Sequence, residues 1–236
     1  MVKDKCLTVS SDGVFFSLQG EGMTMGAPSV FLRLYGCNLN CVWCDTTYAW
    51  TNKRNSVVQH WSIKKTIHKV KASWLCQNSK VQKRLVITGG EPLLQQELLS
   101  TFIKYFSDWA IEIETNGTII PNEKLVKHSQ FNCSPKTSNS KNCRSKRINS
   151  EAICSLCQAN TVFKFVAQNK NDIIEAERDY IVPFKINPNR VVIMPEGKTR
   201  DQIIKNARTI VEIVNVKGYH LLLRLHIDLW GKRKQV

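Results

Sequence analysis

The sequence has few acidic residues and no long apolar run. Its 236 residues include 34 Lys and Arg but only 19 Asp and Glu, which gives a net charge of +15. No apolar stretch is long enough to span a bilayer. The N-terminal segment also lacks the long apolar stretch of a signal peptide. We therefore expect a cytoplasmic protein with no membrane association, whose abundant cysteines serve metal binding or catalysis rather than disulfides.

The positive charge favours anions and acidic surfaces as partners. The basic residues are spread over 64–83, 136–147 and 232–234, and no aromatic-interleaved patch or known nucleic-acid motif accompanies them. We therefore place most of the lysines on solvated surfaces and expect no direct binding to nucleic acid. An acidic electron carrier or a carboxylated substrate would suit the same charge. No internal repeat is present, so a solenoid is excluded.

The alternation of β-rich and helical segments predicts an α/β fold. The length, with 42% hydrophobic residues, allows one large domain or two small ones. Residues 14–22 are predicted to form a short strand that runs into a glycine turn. We predict further strands at 29–35, 84–88, 111–115, 130–133, 161–167, 190–194 and 221–225, and helices at 61–76, 93–109, 172–180 and 199–214. Such alternation is typical of a parallel sheet with helices outside. Because the units are too few for a closed eight-fold barrel, we expect an open, partial β/α barrel of about six parallel strands. Residues 136–158 are predicted to form a loop insertion.

Three of the nine cysteines lie within eight residues, and no fourth follows nearby. They are Cys37, Cys41 and Cys44. Thiolates suit iron–sulfur clusters and zinc, but a structural zinc site normally takes four protein ligands. Three close thiolates therefore favour a four-iron cluster with one open iron. The alternatives are three buried cysteines that act as small hydrophobic residues, and a zinc site completed by a distant His or Cys.

Four other cysteines leave a second metal site open as an alternative. They are irregularly spaced, and two of them fall in a predicted helix: Cys133, Cys143, Cys154 and Cys157.

The spacing Cys-x3-Cys-x2-Cys resembles the signature of radical S-adenosylmethionine (SAM) enzymes. The resemblance implies a single radical SAM domain over residues 1–236. It also implies that the open iron of a [4Fe-4S] cluster chelates the amino and carboxylate groups of SAM. Electron transfer from the cluster would then cleave SAM to a 5′-deoxyadenosyl radical.

Several short polar motifs follow predicted strands, where the functional loops of such folds lie. The glycines of Gly89–Pro92 let backbone approach a ligand closely, although a plain turn before a helix is the alternative. Asp45 and Thr46 carry the oxygen ligands that suit Mg²⁺, or form an N-cap or Asx-turn. Ser134–Lys136 offers a hydroxyl to a ribose or carboxylate, or is an ordinary loop.

Two further features suit recognition of a small molecule. The LQGEG segment at 18–22 places an amide, a carboxylate and two glycines together, which can read the edge of a heterocycle; an exposed polar turn is the alternative. Arg33 lies in an otherwise apolar strand. Its guanidinium suits a substrate carboxylate, or pairs with an Asp or Glu of the protein.

Taken in order, the motifs FSLQGEG, FLRLYGCNLNCVWCDT, TGGEP, ETNG and SPK are similar to those of the 7-carboxy-7-deazaguanine synthases. The resemblance covers about residues 14–136 and the C-terminal LRLHIDLWGKRKQV. It implies a radical SAM carbon–nitrogen lyase of queuosine and 7-deazapurine biosynthesis. The implied reaction is a Mg²⁺-dependent ring contraction of 6-carboxy-5,6,7,8-tetrahydropterin, with loss of ammonia and without net consumption of SAM.

The same resemblance implies roles for individual residues. It assigns Leu18, Gln19, Gly20, Arg33 and Thr88 to the substrate, Cys37, Cys41 and Cys44 to the cluster, Trp43, Cys44, Asp45, Gly90, Ser134, Pro135 and Lys136 to SAM, and Thr46 to Mg²⁺. It also implies a homodimer and a flavodoxin-type electron donor. The rival hypotheses are an activase for a glycyl-radical enzyme and a metal-bound nucleic-acid-binding module.

Overall fold

A computed structural model describes residues 6–51, 58–231 and 233 of the chain. Within these residues no helix has the length and apolar character needed to cross a membrane. The strands are β1 (Cys6–Leu18), β2 (Pro28–Leu34), β3 (Gln59–Ser62), β4 (Arg84–Gly89), β5 (Ala110–Thr115), β6 (Gln130–Cys133), β7 (Thr161–Ala167), β8 (Val191–Pro195) and β9 (His220–Leu221).

All nine strands form one sheet, in the order β3-β1-β2-β4-β5-β6-β7-β8-β9. From β2 to β9 each neighbouring pair is parallel, whereas β1 is antiparallel to both β2 and β3. The open, mainly parallel sheet is confirmed. The parallel part contains seven strands rather than about six, because the short β9 adds to the edge.

Eight helices accompany the sheet in the described residues. They are α1 (Ile63–Ala72), α2 (Gln96–Phe102), α3 (Glu123–His128), α4 (Arg144–Arg147), α5 (Ser150–Gln158), α6 (Lys170–Ala176), α7 (Arg200–Lys217) and α8 (Leu225–Trp230).

Several predicted elements differ from the structure. The strand predicted at 14–22 begins already at Cys6 and ends at Leu18, and the helix predicted at 172–180 is α6 followed by a π-helical turn. Residues 59–62 pair with β1, so α1 begins only after Ser62, whose side chain accepts a hydrogen bond from Lys65 N. The predicted helix 93–109 is divided into a 3-10 turn, α2 and a second 3-10 turn. The predicted strand 221–225 is wrong beyond Leu221: the chain leaves the sheet there and begins α8, whose Leu225 N donates to Gly20 O at 3.0 Å.

The predicted insertion at 136–158 is folded into the domain rather than forming a loop. It contains a 3-10 turn (Ser138–Ser140), α4 and α5. Arg147 is buried, and its Nη2 donates to Glu175 at 2.7 Å and to Asp179 at 3.1 Å. Tyr180 OH donates to Lys136 O at 2.8 Å. These contacts attach the segment to the part of the chain that follows β7.

A hydrophobic core lies between the sheet and its helices. Its largest fully buried members include Leu32, Ile87, Phe102, Phe131, Phe163 and Tyr180. Of these, Leu32, Ile87, Phe131 and Phe163 come from strands, and Phe102 and Tyr180 come from helical segments. Because successive side chains of a strand point to opposite faces, polar neighbours such as Arg33, Thr88 and Lys164 lie on the other face, where the cavity described below is found.

Candidate active site

One cavity of about 690 Å³ collects nearly all of the predicted site residues. Its walls include Leu18, Gln19, Gly20, Arg33, Cys37, Cys41, Trp43, Cys44, Asp45, Thr46, Thr88, Gly90, Ser134 and Lys136. Pro135 is buried and is not among the residues that line the cavity. A volume of this size is within the range of small-molecule and cofactor sites.

The cavity lies against one face of the sheet and extends from the start of β2 to its end. Leu18 pairs with Pro28 at the start of β2, whereas the cysteine loop follows Leu34 at its end. The LQGEG loop and the three cysteines therefore approach the same cavity from opposite ends of this strand.

The cysteine loop presents three free thiols, and each sulfur has an N–H group nearby. Leu39 N lies 3.5 Å from Cys37 Sγ, Asn142 Nδ2 lies 3.3 Å from Cys41 Sγ, and Trp50 Nε1 lies 3.3 Å from Cys44 Sγ. Burial raises the pKa of the Cys37 thiol to about 11, and it also raises the pKa of Cys41. In spite of these raised pKa values, bound iron would hold the sulfurs as thiolates. Thiolates with N–H hydrogen-bond donors nearby are suitable ligands for an iron–sulfur cluster.

The geometry does not fit a single zinc ion. Within the described ranges, no three His, Cys, Asp or Glu side chains converge on a position for one metal ion. Cys133 is buried while Cys143 and Cys154 are exposed. The second metal site left open by the sequence is therefore not assembled among these residues.

Gly89 and Gly90 allow the cysteine loop to pack against the end of β4. A Cβ atom on Gly90 would lie 2.0 Å from Gly36 O, and one on Gly89 would lie 2.1 Å from Leu34 O. Glu91 accepts hydrogen bonds from Leu93 N, Thr115 Oγ1 and Asn116 N at 2.6 to 3.0 Å. Its carboxylate is therefore occupied within the protein, and it organises the turns around the cavity.

The SPK segment meets the cysteine loop across the cavity. Lys136 Nζ donates to Ser134 Oγ at 2.8 Å and lies 5.3 Å from the centre of the Trp43 ring. Trp43 Nε1 in turn donates to Asn139 Oδ1 at 3.1 Å. These contacts place three of the predicted SAM-binding residues in one cluster beside the thiols.

Arg33 pairs with a carboxylate of the protein and still lines the cavity. Its Nε donates to Asp12 Oδ2 at 2.7 Å, and Tyr48 OH donates to the same oxygen at 2.9 Å. Pairing with a protein carboxylate and contact with a substrate carboxylate, the two alternatives left open by the sequence, are thus compatible. The next strand places Thr88 nearby, and its hydroxyl donates to Glu114 Oε2 at 2.5 Å.

The LQGEG loop is held by residues that the sequence motifs did not single out. Gln19 Nε2 donates to Glu112 Oε2 at 3.4 Å. Glu21 forms ion pairs with Lys164 and, at 2.9 Å, with Arg224. Although burial acts to raise it, Lys164 and Arg224 hold the pKa of Glu21 well below its usual range. At neutral pH Glu21 is therefore a carboxylate.

Several charged residues of the cavity to which the motifs gave no role carried a signal in the sequence. Lys164 lies inside the apolar strand TVFKFVA, and Glu114 lies inside IEIET, as Arg33 lies inside β2. All three line the cavity. A charge within a buried strand marks a site where it has a partner. Arg224 carried the same signal, since it lies inside the apolar run LLLRL. The sequence could not show its partners, because they depend on where the C-terminal segment packs.

Known proteins resemble this chain over most of its length. A 4Fe-4S single cluster domain matches residues 18–151. The 7-carboxy-7-deazaguanine synthase of Pyrobaculum aerophilum is 33% identical and covers 94% of each chain. The synthase of Halobacterium salinarum is 29% identical over 92% of this chain and 89% of its own length. The chain belongs to the 7-carboxy-7-deazaguanine synthase family.

Membership of this family confirms the resemblance seen in the motifs. It makes the chain a radical SAM enzyme with a [4Fe-4S] cluster and SAM as cofactors. The crystal structure of QueE from Escherichia coli matches 94% of this chain and 95% of its own, with a TM-score of 0.67 and 22% identity. That likeness confirms the fold.

Proposed function

We propose that this chain is a 7-carboxy-7-deazaguanine synthase that contracts the ring of 6-carboxy-5,6,7,8-tetrahydropterin, with loss of ammonia. The observation that carries this proposal is the shared cavity. Gln19, Arg33 and Thr88 line the same cavity as the three cysteines. These three residues and the cysteine loop come from four different segments of the chain. A substrate held by the first group would lie beside a cofactor held by the second.

The wall of the cavity suits a substrate that is both a heterocycle and a carboxylate. Glu114 offers acceptor oxygens to the N–H groups of an aminopyrimidinone ring, and the backbone of residues 18–20 can align its edge. Arg33 and Lys164 supply positive charge for the substrate carboxylate. We assign Leu18, Gln19, Gly20, Arg33 and Thr88 to the substrate on this basis.

The opposite end of the cavity suits the cofactors. Cys37, Cys41 and Cys44 would hold the cluster, which when bound supplies the electron that generates a 5′-deoxyadenosyl radical from SAM. We assign Trp43, Asp45, Gly90, Ser134 and Lys136 to SAM, because they surround the thiols on the cavity wall. Pro135 supports this segment from within the protein.

Thr46 is the proposed Mg²⁺ ligand. Its hydroxyl lines the cavity and lies 3.6 Å from Cys44 Sγ. This hard oxygen on the cavity wall would be available to hold the ion. Mg²⁺ normally keeps several waters and takes few protein ligands, so one hydroxyl is a sufficient contribution from the chain.

We further propose a cytoplasmic homodimer that receives electrons from a flavodoxin-type donor. Cys37, Cys41, Cys44, Cys133, Cys143, Cys154 and Cys157 form no disulfides with one another, which suits a reducing compartment. The dimer and the donor rest on the family resemblance alone. Light scattering of the anaerobic protein tests the dimer.

The proposed reaction is tested by product analysis. Protein reconstituted with iron and sulfide under nitrogen is reduced and mixed with SAM, Mg²⁺ and the tetrahydropterin. We expect mass spectrometry to find 7-carboxy-7-deazaguanine, with SAM largely recovered and no second protein needed. SAM cleavage without conversion of the pterin would overturn the assigned substrate.

A further inference from the structure

A segment outside the cysteine loop contacts one of the cluster thiols directly. Asn142 Nδ2 lies 3.3 Å from Cys41 Sγ, although the two residues are 101 positions apart in the sequence. Trp50, which lies six positions from Cys44, makes the corresponding contact with that sulfur. The Asn142 contact is therefore made by tertiary folding of the segment that follows β6.

The orientation of the Asn142 side chain is fixed by its other contacts. Asn142 Oδ1 accepts a hydrogen bond from the backbone N–H of Asn40 at 3.0 Å. Reversal of the amide would place its NH₂ group against that N–H and its oxygen against the sulfur. The donor nitrogen must therefore face Cys41, and it also lies 3.2 Å from Ser140 Oγ.

Hydrogen bonds hold the backbone on both sides of Cys41, at Asn40 and at Val42. Val42 N donates to Ser140 O at 3.2 Å, so Cys41 lies between two residues that are bonded to the same segment. Asn142 is also only partly exposed, which limits the screening of its dipole by solvent. The contact is thus built into the fold rather than made by a free surface side chain.

A neutral N–H donor on a cluster thiolate favours the reduced cluster. The donor withdraws negative charge from the sulfur, and this matters more after an electron has been added. Hydrogen bonds to the sulfurs are among the factors that set the reduction potential of iron–sulfur clusters. Asn142 adds such a bond without adding a charge, so it acts on the potential while leaving the net charge of the site unchanged.

We propose that Asn142 is a positioning residue that raises the reduction potential of the cluster through its hydrogen bond to Cys41. The inference rests on the proposed function, since it requires that the three cysteines hold a [4Fe-4S] cluster. The step concerned is the addition of one electron from a low-potential donor, such as dithionite, to the oxidised cluster. The Asn142 N–H stabilises the product of that step more than the starting state.

The test is a redox titration of the anaerobically reconstituted protein, without substrate, followed by electron paramagnetic resonance. Asn142→Leu removes the donor and keeps the approximate size of the side chain. Asn142→Asp keeps the acceptor for Asn40 N–H but replaces the donor with a negative oxygen. We expect the ratio of reduced to oxidised cluster at a fixed potential to fall about three- to tenfold in the Leu variant, where tenfold corresponds to about 59 mV for one electron. The Asp variant should show a larger fall.

Asn139→Ala is the matched control. It breaks another hydrogen bond between the same segment and the cysteine loop, to Trp43, but it touches no sulfur. Its potential should equal that of the wild type. An unchanged potential in Asn142→Leu at full iron content would overturn the inference and leave the proposed function intact. A failure of both Asn142 variants to bind iron would also overturn it, because the contact would then serve assembly. Absence of iron from the wild type would instead contradict the proposed function.

Discussion

Arg224 and Glu21 are 203 residues apart in the sequence, yet Arg224 Nε donates to Glu21 Oε1 at 2.9 Å. The other guanidinium nitrogens of Arg224 contact Asp45 and, at 3.0 Å, Gly197 O. One side chain thus joins the LQGEG loop, the cysteine loop and the turn after β8. It holds together the two ends of the cavity that the substrate and the cofactors are proposed to occupy.

Loss of this side chain should destabilise the protein and the site together. Arg224→Ala leaves the largely buried Glu21 with Lys164 as its other ion-pair partner, and breaking a buried pair costs about 3–5 kcal/mol. We expect a fall in the free energy of unfolding of about 3 kcal/mol and little turnover. Arg200→Ala is the control. Arg200 is largely exposed and lies 3.9 Å from Asp228, and such a surface ion pair contributes about 0–1 kcal/mol. Urea unfolding compares the two, and equal losses would contradict the role given to Arg224.

The ion pairs of Glu21 should appear in the pH dependence of stability. Because its pKa is lowered in the folded protein, Glu21 contributes stability above the unfolded pKa of 4.5, and this contribution is lost as the pH falls through the folded pKa. The difference in unfolding free energy between wild type and Glu21→Gln should therefore be largest near neutral pH and narrow below about pH 4.5. Glu212→Gln, at an exposed surface pair, should follow the wild-type profile. A constant difference across the pH range would show that Glu21 is not held as a carboxylate.

Cys41 and Cys143 should respond in opposite ways to the same substitution. Cys41→Ala removes one of three cluster ligands, so we expect loss of most bound iron and of SAM cleavage. Cys143 is exposed and lies outside the cysteine loop, so Cys143→Ala should keep both. Iron analysis and assay of 5′-deoxyadenosine check this prediction. Normal SAM cleavage by the Cys41 variant would be incompatible with the assigned ligands.

A comparison of Arg33→Ala with Arg84→Ala distinguishes an effect on substrate binding from an effect on stability. Both are partly buried and pair with a carboxylate, but only Arg33 lines the cavity. Arg33→Ala should raise KM for the pterin by about 10-fold or more, since a charge-assisted hydrogen bond is worth about 1.5–3 kcal/mol. Arg84→Ala should lower stability while leaving KM near the wild-type value. An unchanged KM in the Arg33 variant would remove that contact from the site.

Gly90 should tolerate no side chain. In Gly90→Ala the new Cβ would meet Gly36 O, so the cysteine loop must move, and we expect weaker iron binding together with a stability loss of about 1–3 kcal/mol. Gly218→Ala places its Cβ in open space at the end of α7, where only the left-handed backbone opposes it. It should cost about 1 kcal/mol and leave the iron content unchanged. Full iron binding by the Gly90 variant would show that the close packing at this glycine is not required.

The local parts of this structure were predictable from the sequence. The strands around Leu32, Ile87 and Phe163 are apolar runs bounded by polar turns, and the cysteine spacing predicted a [4Fe-4S] cluster, which membership of the family confirms. Both signals lie within a few residues of the atoms concerned. The predictions that were wrong involve partners far away in the chain: β3 forms because it pairs with β1, and the predicted strand after Leu221 gives way to α8, which contacts Gly20.

The same distinction applies to the candidate site. The motifs predicted that the thiols, Gly90 and Lys136 would lie together, because each follows a strand of the parallel sheet. The structure places all of them on the wall of one cavity. The motifs could not reveal that Glu91 is occupied by backbone donors, or that Glu21 is held by Lys164 and Arg224. These facts depend on which strands become neighbours and on where the C-terminal helix packs.

The most direct measurement is the electron paramagnetic resonance spectrum of the reduced, anaerobically reconstituted protein before and after addition of SAM. With three cysteine ligands and one open iron, the account predicts a [4Fe-4S] signal that changes when SAM binds. Zinc in place of iron, or a cluster signal that SAM leaves unaltered, would contradict it.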